Sequence, residues 1–62
     1  MNEYTIYFNN GASMKLIAKG IRWYLDAVVD MQFHVDDPSD DSETVVAEFN
    51  SEHIAGYTVK EL

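Results

Sequence analysis

Eight consecutive residues concentrate the groups that could do chemistry: Asp36, Asp37, Pro38, Ser39, Asp40, Asp41, Ser42 and Glu43, five carboxylates among them. Clustered carboxylates can ligate a hard cation, share a proton, or present a field of negative charge to a basic surface. The calcium chemistry is poorly matched. The spacing departs from the D-x-[DN]-x-[DN]-G-x₅-E loop, and the segment has no glycine for the sharp turn such a loop needs. The charge-field reading extends beyond the eight residues. From Trp23 to Val59 there are nine Asp or Glu and no Lys or Arg, and the only basic residues are Lys15, Lys19, Arg22 and Lys60.

Other chemistries find little support. His34 and His53 are the only imidazoles, and a zinc site would need them close together with carboxylate support. Ser13, Ser39, Ser42 and Ser51 fall in turns or beside helix caps, with no base and orienting group in view. No glycine-rich phosphate loop occurs, and a chain this short rarely encloses a pocket of a few hundred Å³. The expectation is a protein that is not an enzyme and carries no cofactor and no metal.

Length and composition set the frame for those acids. Sixty-two residues make one domain, residues 1–62, with the acidic loop at 36–43. A chain of this size buries only about 60% of its unfolded surface. Cysteine is absent, so neither a disulfide nor a thiolate zinc site can reinforce the core. An apolar content of 47% is still that of a folding domain rather than an acidic disordered tail, and a homodimer is one route to completing its core. No apolar run approaches the roughly 20 residues that span a bilayer. The first residues lack the basic-then-apolar pattern of a signal peptide, so a cytoplasmic location is expected. The net charge of −7 opposes direct binding to nucleic acid or to an anionic membrane and favours a basic partner.

The elements that position these groups read mainly as β. Tyr4–Phe8 is a strand with Tyr4, Ile6 and Phe8 on one face, followed by an Asn10-Gly11 hairpin turn in which both residues tolerate positive φ. Ser13–Ala27 has two readings. Met14, Ile17, Ala18, Ile21, Tyr24, Leu25 and Val28 form a helical stripe, while Met14, Leu16, Ala18 and then Ile21, Trp23, Leu25 alternate in opposite phases. A bulge at Lys19-Gly20 absorbs the slip, and a long bent strand is the preferred reading. Ala27–Val35 reads as a strand with Val29, Met31, Phe33 and Val35 on one face and His34 on the wet one. After the acidic loop, Thr44–Phe49 is a strand with Val45, Ala47 and Phe49 sharing a face. A short helical turn near 50–54, capped by Asn50 or Ser51, precedes a last strand at Ala55–Lys60. The expected fold is a small five-stranded antiparallel sheet or barrel. The alternative is α+β, a helix at about 13–27 packed on a four-stranded antiparallel sheet.

The order of elements, above all Val45–Phe49, Asn50–Ile54 and Ala55–Val59 in succession, resembles the small barrels of the Sm-like and Src-homology-3 type. That resemblance implies a fold and no particular role. Small size, strong acidity, absence of cysteine and β content also resemble the small acidic inhibitors of phages and mobile elements, anti-CRISPR proteins and other DNA mimics. This second resemblance implies a non-enzymatic inhibitor of a basic nucleic-acid-handling protein, such as a CRISPR nuclease, working by charge mimicry. The candidate partner-binding residues are Asp26, Asp30, Asp36, Asp37, Asp40, Asp41, Glu43 and Glu48, with Tyr7 and Tyr24, which lie out of phase with their core-facing neighbours. Two competing readings remain. The acids could confer solubility alone, and the exposed aromatics could make the chain a small structural or assembly module that self-associates.

Overall fold

A computed structural model of the chain describes residues 1–40 and 42–62. Among the described residues six strands run in sequence: β1 (Asn2–Phe8), β2 (Ser13–Ala18), β3 (Gly20–Trp23), β4 (Met31–Asp36), β5 (Glu43–Phe49) and β6 (Ile54–Glu61). A single turn of 3₁₀-helix, Ser51–His53, joins β5 to β6. The strands form two antiparallel three-stranded sheets, ordered β2-β1-β6 and β3-β4-β5. The protein is mainly β, and the sheets do not close into a barrel.

The stretch with two readings settles as strand. β2 ends at Ala18 and β3 begins at Gly20, so Lys19 alone carries the chain from one sheet into the other. The Lys19 N–H donates to the His34 carbonyl at 2.7 Å, which ties the bend to β4. The helix at 13–27 is thereby excluded. A helical stripe would have faced Ile17 inward, whereas Ile17 is half exposed and Leu16, its neighbour in sequence, packs on the core.

The first hairpin forms where expected but by a different turn. The Phe8 N–H donates to the Ala12 carbonyl and the Gly11 N–H to the Phe8 carbonyl, a three-residue loop. Only Gly11 takes a positive φ, +90°. Asn10 contributes its side chain instead, accepting from the Ala12 N–H at 2.9 Å.

Two strand assignments are corrected. The alternation that reads as a strand from Ala27 becomes regular only at Met31. The chain reverses at Asp26, whose φ is +58°, and the Tyr24 N–H closes the loop onto the Asp30 carbonyl at 2.9 Å. Asp tolerates that left-handed conformation better than most residues. In β5, Ala47 opposes Phe33 but Val45 opposes His34, so the register slips by one residue at Val46. Val45 therefore joins the His34 face rather than sharing a face with Ala47 and Phe49.

The two sheets enclose a small core of Tyr4, Ile6, Ala18, Met31 and Phe33, with Phe8, Leu16, Ile21, Val35, Ala47, Phe49 and Ile54 packed around it. Its centre is aromatic. Tyr4 meets Phe33 edge-on at 5.0 Å, and Phe33 meets Phe49 at 5.8 Å. Phe33, Ile6 and Met31 are wholly buried, and each such side chain contributes about 1.5–3 kcal/mol relative to exposure.

Candidate acidic interface

The acidic segment is the β4–β5 hairpin loop, and its own side chains hold it. Asp36 opposes Glu43 at the end of the ladder, and the Asp37 N–H donates to the Ser42 carbonyl at 3.0 Å. Asp37 Oδ1 accepts from the Ser39 N–H at 2.9 Å and from Ser39 Oγ at 2.7 Å. Asp40 Oδ1 accepts from the Ser42 N–H at 2.7 Å. These are side-chain turns of the kind Asp and Ser favour, and Pro38 restricts the backbone between them. The same donors stabilise the ionised form. Both Asp37 and Asp40 are held below the ordinary carboxylate range by the hydrogen bonds from Ser39 and Ser42.

Asp36, Asp37, Asp40 and Ser42 line a shallow concavity of about 320 Å³ at the hairpin end. Its base is partly neutralised. Lys19 Nζ lies 3.0 Å from Asp36 Oδ1, and Arg22 pairs with Glu43. Two of the four cations are thus drawn onto the acidic end, Lys19 from the bend between the sheets and Arg22 from the outer face, where Gly20, Arg22, Gln32, His34 and Glu48 share one side. His34 is nearly covered there, not wet as its alternation suggests, with Nδ1 3.4 Å from Glu43 Oε2. Asp37 and Asp40 have no cationic partner among the described residues.

The remaining candidate residues separate. Asp36, Asp37, Asp40 and Glu43 are gathered at one end of β4. Asp41 lies outside the described residues. Glu48 sits further along the outer face and accepts from Gln32 Nε2 at 2.9 Å. Asp26 and Asp30 belong to the loop at the opposite end of β4. Asp30 has a structural task, since its carboxylate accepts from both the N–H and the Oγ of Ser51, at 2.8 and 2.6 Å. This pins the β3–β4 loop to the 3₁₀ turn and holds the Asp30 carboxyl below its usual range. Tyr7 and Tyr24 are both exposed as expected, Tyr7 opposite Ser13 and Gly56 on the outer face of the first sheet and Tyr24 at the base of the β3–β4 loop. Tyr7 stands apart from the acidic hairpin, whereas the Tyr24 side chain lies beside Arg22, the partner of Glu43.

A feature that the sequence does not announce is the exposed apolar character of the end of β3 and of the β3–β4 loop. Trp23, Leu25 and Val28 are 54%, 95% and 79% exposed, beside Tyr24 and Val29. Their alternation with neighbouring apolar residues imitates a strand, and the turn signal rests on Asp26 alone.

Among the described residues no three His, Asp or Glu side chains are placed to hold a metal ion. No helix there is long and apolar enough to cross a membrane. No family model, no curated protein and no solved structure matches the chain.

Proposed function

We propose that the protein is a non-enzymatic inhibitor that binds a basic, nucleic-acid-handling protein and blocks nucleic-acid binding by charge mimicry. The setting would be that of phage or mobile-element anti-CRISPR proteins, in the cytoplasm of a bacterial host. One observation carries this reading. The β4–β5 hairpin gathers Asp36, Asp37, Asp40 and Glu43 at one end of the molecule and fixes Asp37 and Asp40 by hydrogen bonds from Ser39 and Ser42. Carboxylates held in place cost less ordering entropy on binding than those on a loose tail. Lys and Arg clusters that meet the closely spaced phosphates of nucleic acid offer such a hairpin a complementary site.

The second reading, a self-associating structural or assembly module, is favoured by the exposed Trp23, Tyr24, Leu25 and Val28. An apolar loop of this kind fits a protein interface better than solvent.

The test is capture of partners from host lysate by tagged protein at low and high salt. A variant with Asp36, Asp37, Asp40 and Asp41 changed to Asn and Ser runs beside it. Charge mimicry expects a basic nucleic-acid enzyme that is captured by the native protein, released by salt or by excess nucleic acid, and missed by the variant. Equal capture by both proteins would refute it. The second reading expects that substituting Tyr7 or Tyr24 abolishes association made through those aromatics.

A further inference from the structure

Four strands lie at sheet edges: β2, β3, β5 and β6. Edge strands expose unpaired backbone groups, and folded proteins guard them with charge, shortness or bulges. Three of these edges are guarded. β2 carries Lys15 at its middle, β3 has four residues with Arg22 among them, and β5 has Glu43, Glu48 and the register slip at Val46. β6 is the longest, with eight residues, and it carries no charge and no proline from Ile54 through Val59. Its only irregularity is at one end, beside Ala55.

The side chains of β6 also leave a core unfinished. Tyr57 opposes Ile6 and Val59 opposes Tyr4, so both point to the face that the second sheet covers. They are nevertheless 41% and 55% exposed, and β6 makes substantial contact with β1 but not with any strand of the second sheet. The molecule is correspondingly thin, with extents of 37 × 29 × 13 Å. Its radius of gyration is 12.1 Å, where a compact 62-residue domain has about 10.6 Å.

We propose that β6 is a homodimer interface, at which a second copy of this chain adds its own β6 antiparallel to form one continuous six-stranded sheet. A two-fold axis perpendicular to the sheet keeps the inner faces of both copies on the same side. Centred on Thr58, it places Tyr57 directly opposite Val59 of the second copy, twice over, an aromatic with a β-branched residue. On the outer face Thr58 meets its own copy. Lys60 then opposes Gly56 and Glu61 opposes Ala55, so no like charges face each other and the longer side chains meet small ones. Centring on Tyr57 would leave Val59 opposite Ala55, and centring on Val59 would set Tyr57 against Glu61. The Thr58 centre alone joins both uncovered apolar residues. The acidic hairpin belongs to the other sheet and takes no part, so this interface stands or falls separately from the charge-mimic reading.

The experiment is sedimentation or light scattering of the native protein over the micromolar range, beside Thr58→Lys and Thr58→Glu. Thr58 is exposed on the outer face, so either variant should keep the native circular dichroism spectrum and urea midpoint. The native protein is expected at twice its 7.1 kDa mass. Each variant alone sets like charges face to face at the two-fold axis and should weaken dimerisation at least about tenfold. An equimolar mixture of the two should restore the dimer. Salt should strengthen native dimerisation, since it screens two copies of net charge −7, whereas it weakens capture of a basic partner. A native protein that stays monomeric, or variants that each dimerise as it does, would overturn the proposal.

Discussion

Asp30 shows how a residue that reads as part of a charge field can be occupied elsewhere. Both of its carboxylate oxygens accept hydrogen bonds from Ser51, and a surface that needs a free carboxylate cannot count on it. The bonds have a consequence in pH. They lower the folded-state pKa of Asp30 below its ordinary value, chiefly through the Ser51 side chain and then through its backbone N–H. A depressed carboxylate pKa contributes stability that is present above the unfolded pKa, near 4. It is lost as pH falls through the folded value. Ser51→Ala removes the Oγ donor and keeps the N–H. The variant is expected to be less stable than the native protein at neutral pH, with the gap closing as pH drops below about 4. Urea midpoints measured from pH 7 down to pH 2 check this. A gap independent of pH would mean that Ser51 acts by packing and not through the Asp30 carboxylate.

Elements differ in how plainly the sequence announces them. The Asn10-Gly11 pair places a reversal correctly because glycine alone relieves the left-handed backbone there, and Gly11 takes φ +90°. No atom lies within 4 Å of where a Cβ would stand at Gly11. Gly11→Ala therefore tests backbone strain without a steric clash, and it should cost about 1–2 kcal/mol. In a domain whose whole stability is about 3–9 kcal/mol, that loss is readily seen in a urea titration. A change under half a unit would place the turn in another conformation. The bent strand was legible for a related reason, since the opposite phases on either side of Lys19 require a sheet change or a bulge. The β3–β4 loop was not legible. Val29 continues the alternation of Met31, Phe33 and Val35, and only the positive φ at Asp26 breaks it. Hydrophobic pattern measures what can be buried, and it does not register that Leu25 and Val28 stay in solvent. The slip at Val46 escaped for the same reason, because a run of apolar residues gives no sign of which one is extra.

At the scale of the whole molecule, the charge asymmetry was legible and its arrangement was not. Eleven acids against four bases are visible in the sequence. Which acids stand together depends on β4, which puts Asp36, Asp37 and Asp40 at one end and Asp26 and Asp30 at the other, and on the bend at Lys19 that brings Lys19 and Arg22 to Asp36 and Glu43. Two electrostatic effects of opposite sign result. The two ion pairs are open to solvent, where such pairs contribute little and salt diminishes what they contribute. The excess of acids repels itself throughout the fold, and salt relieves that repulsion, with a Debye length near 10 Å at 0.1 M. Asp37 and Asp40 have no neutralising partner among the described residues, so repulsion outweighs attraction at the hairpin. The melting temperature is therefore expected to rise with sodium chloride. Relief of about 1 kcal/mol corresponds to about 4–8 °C in a domain of this size. Changing Asp36, Asp37, Asp40 and Asp41 to Asn and Ser removes much of the excess, so the variant should melt higher at low salt and respond less to added salt. Circular dichroism melts of both proteins from low to high salt decide the matter. A native melting temperature that falls with salt would mean that the pairs of Lys19 and Arg22 outweigh the repulsion, and the hairpin would then present a largely neutralised surface to any basic partner.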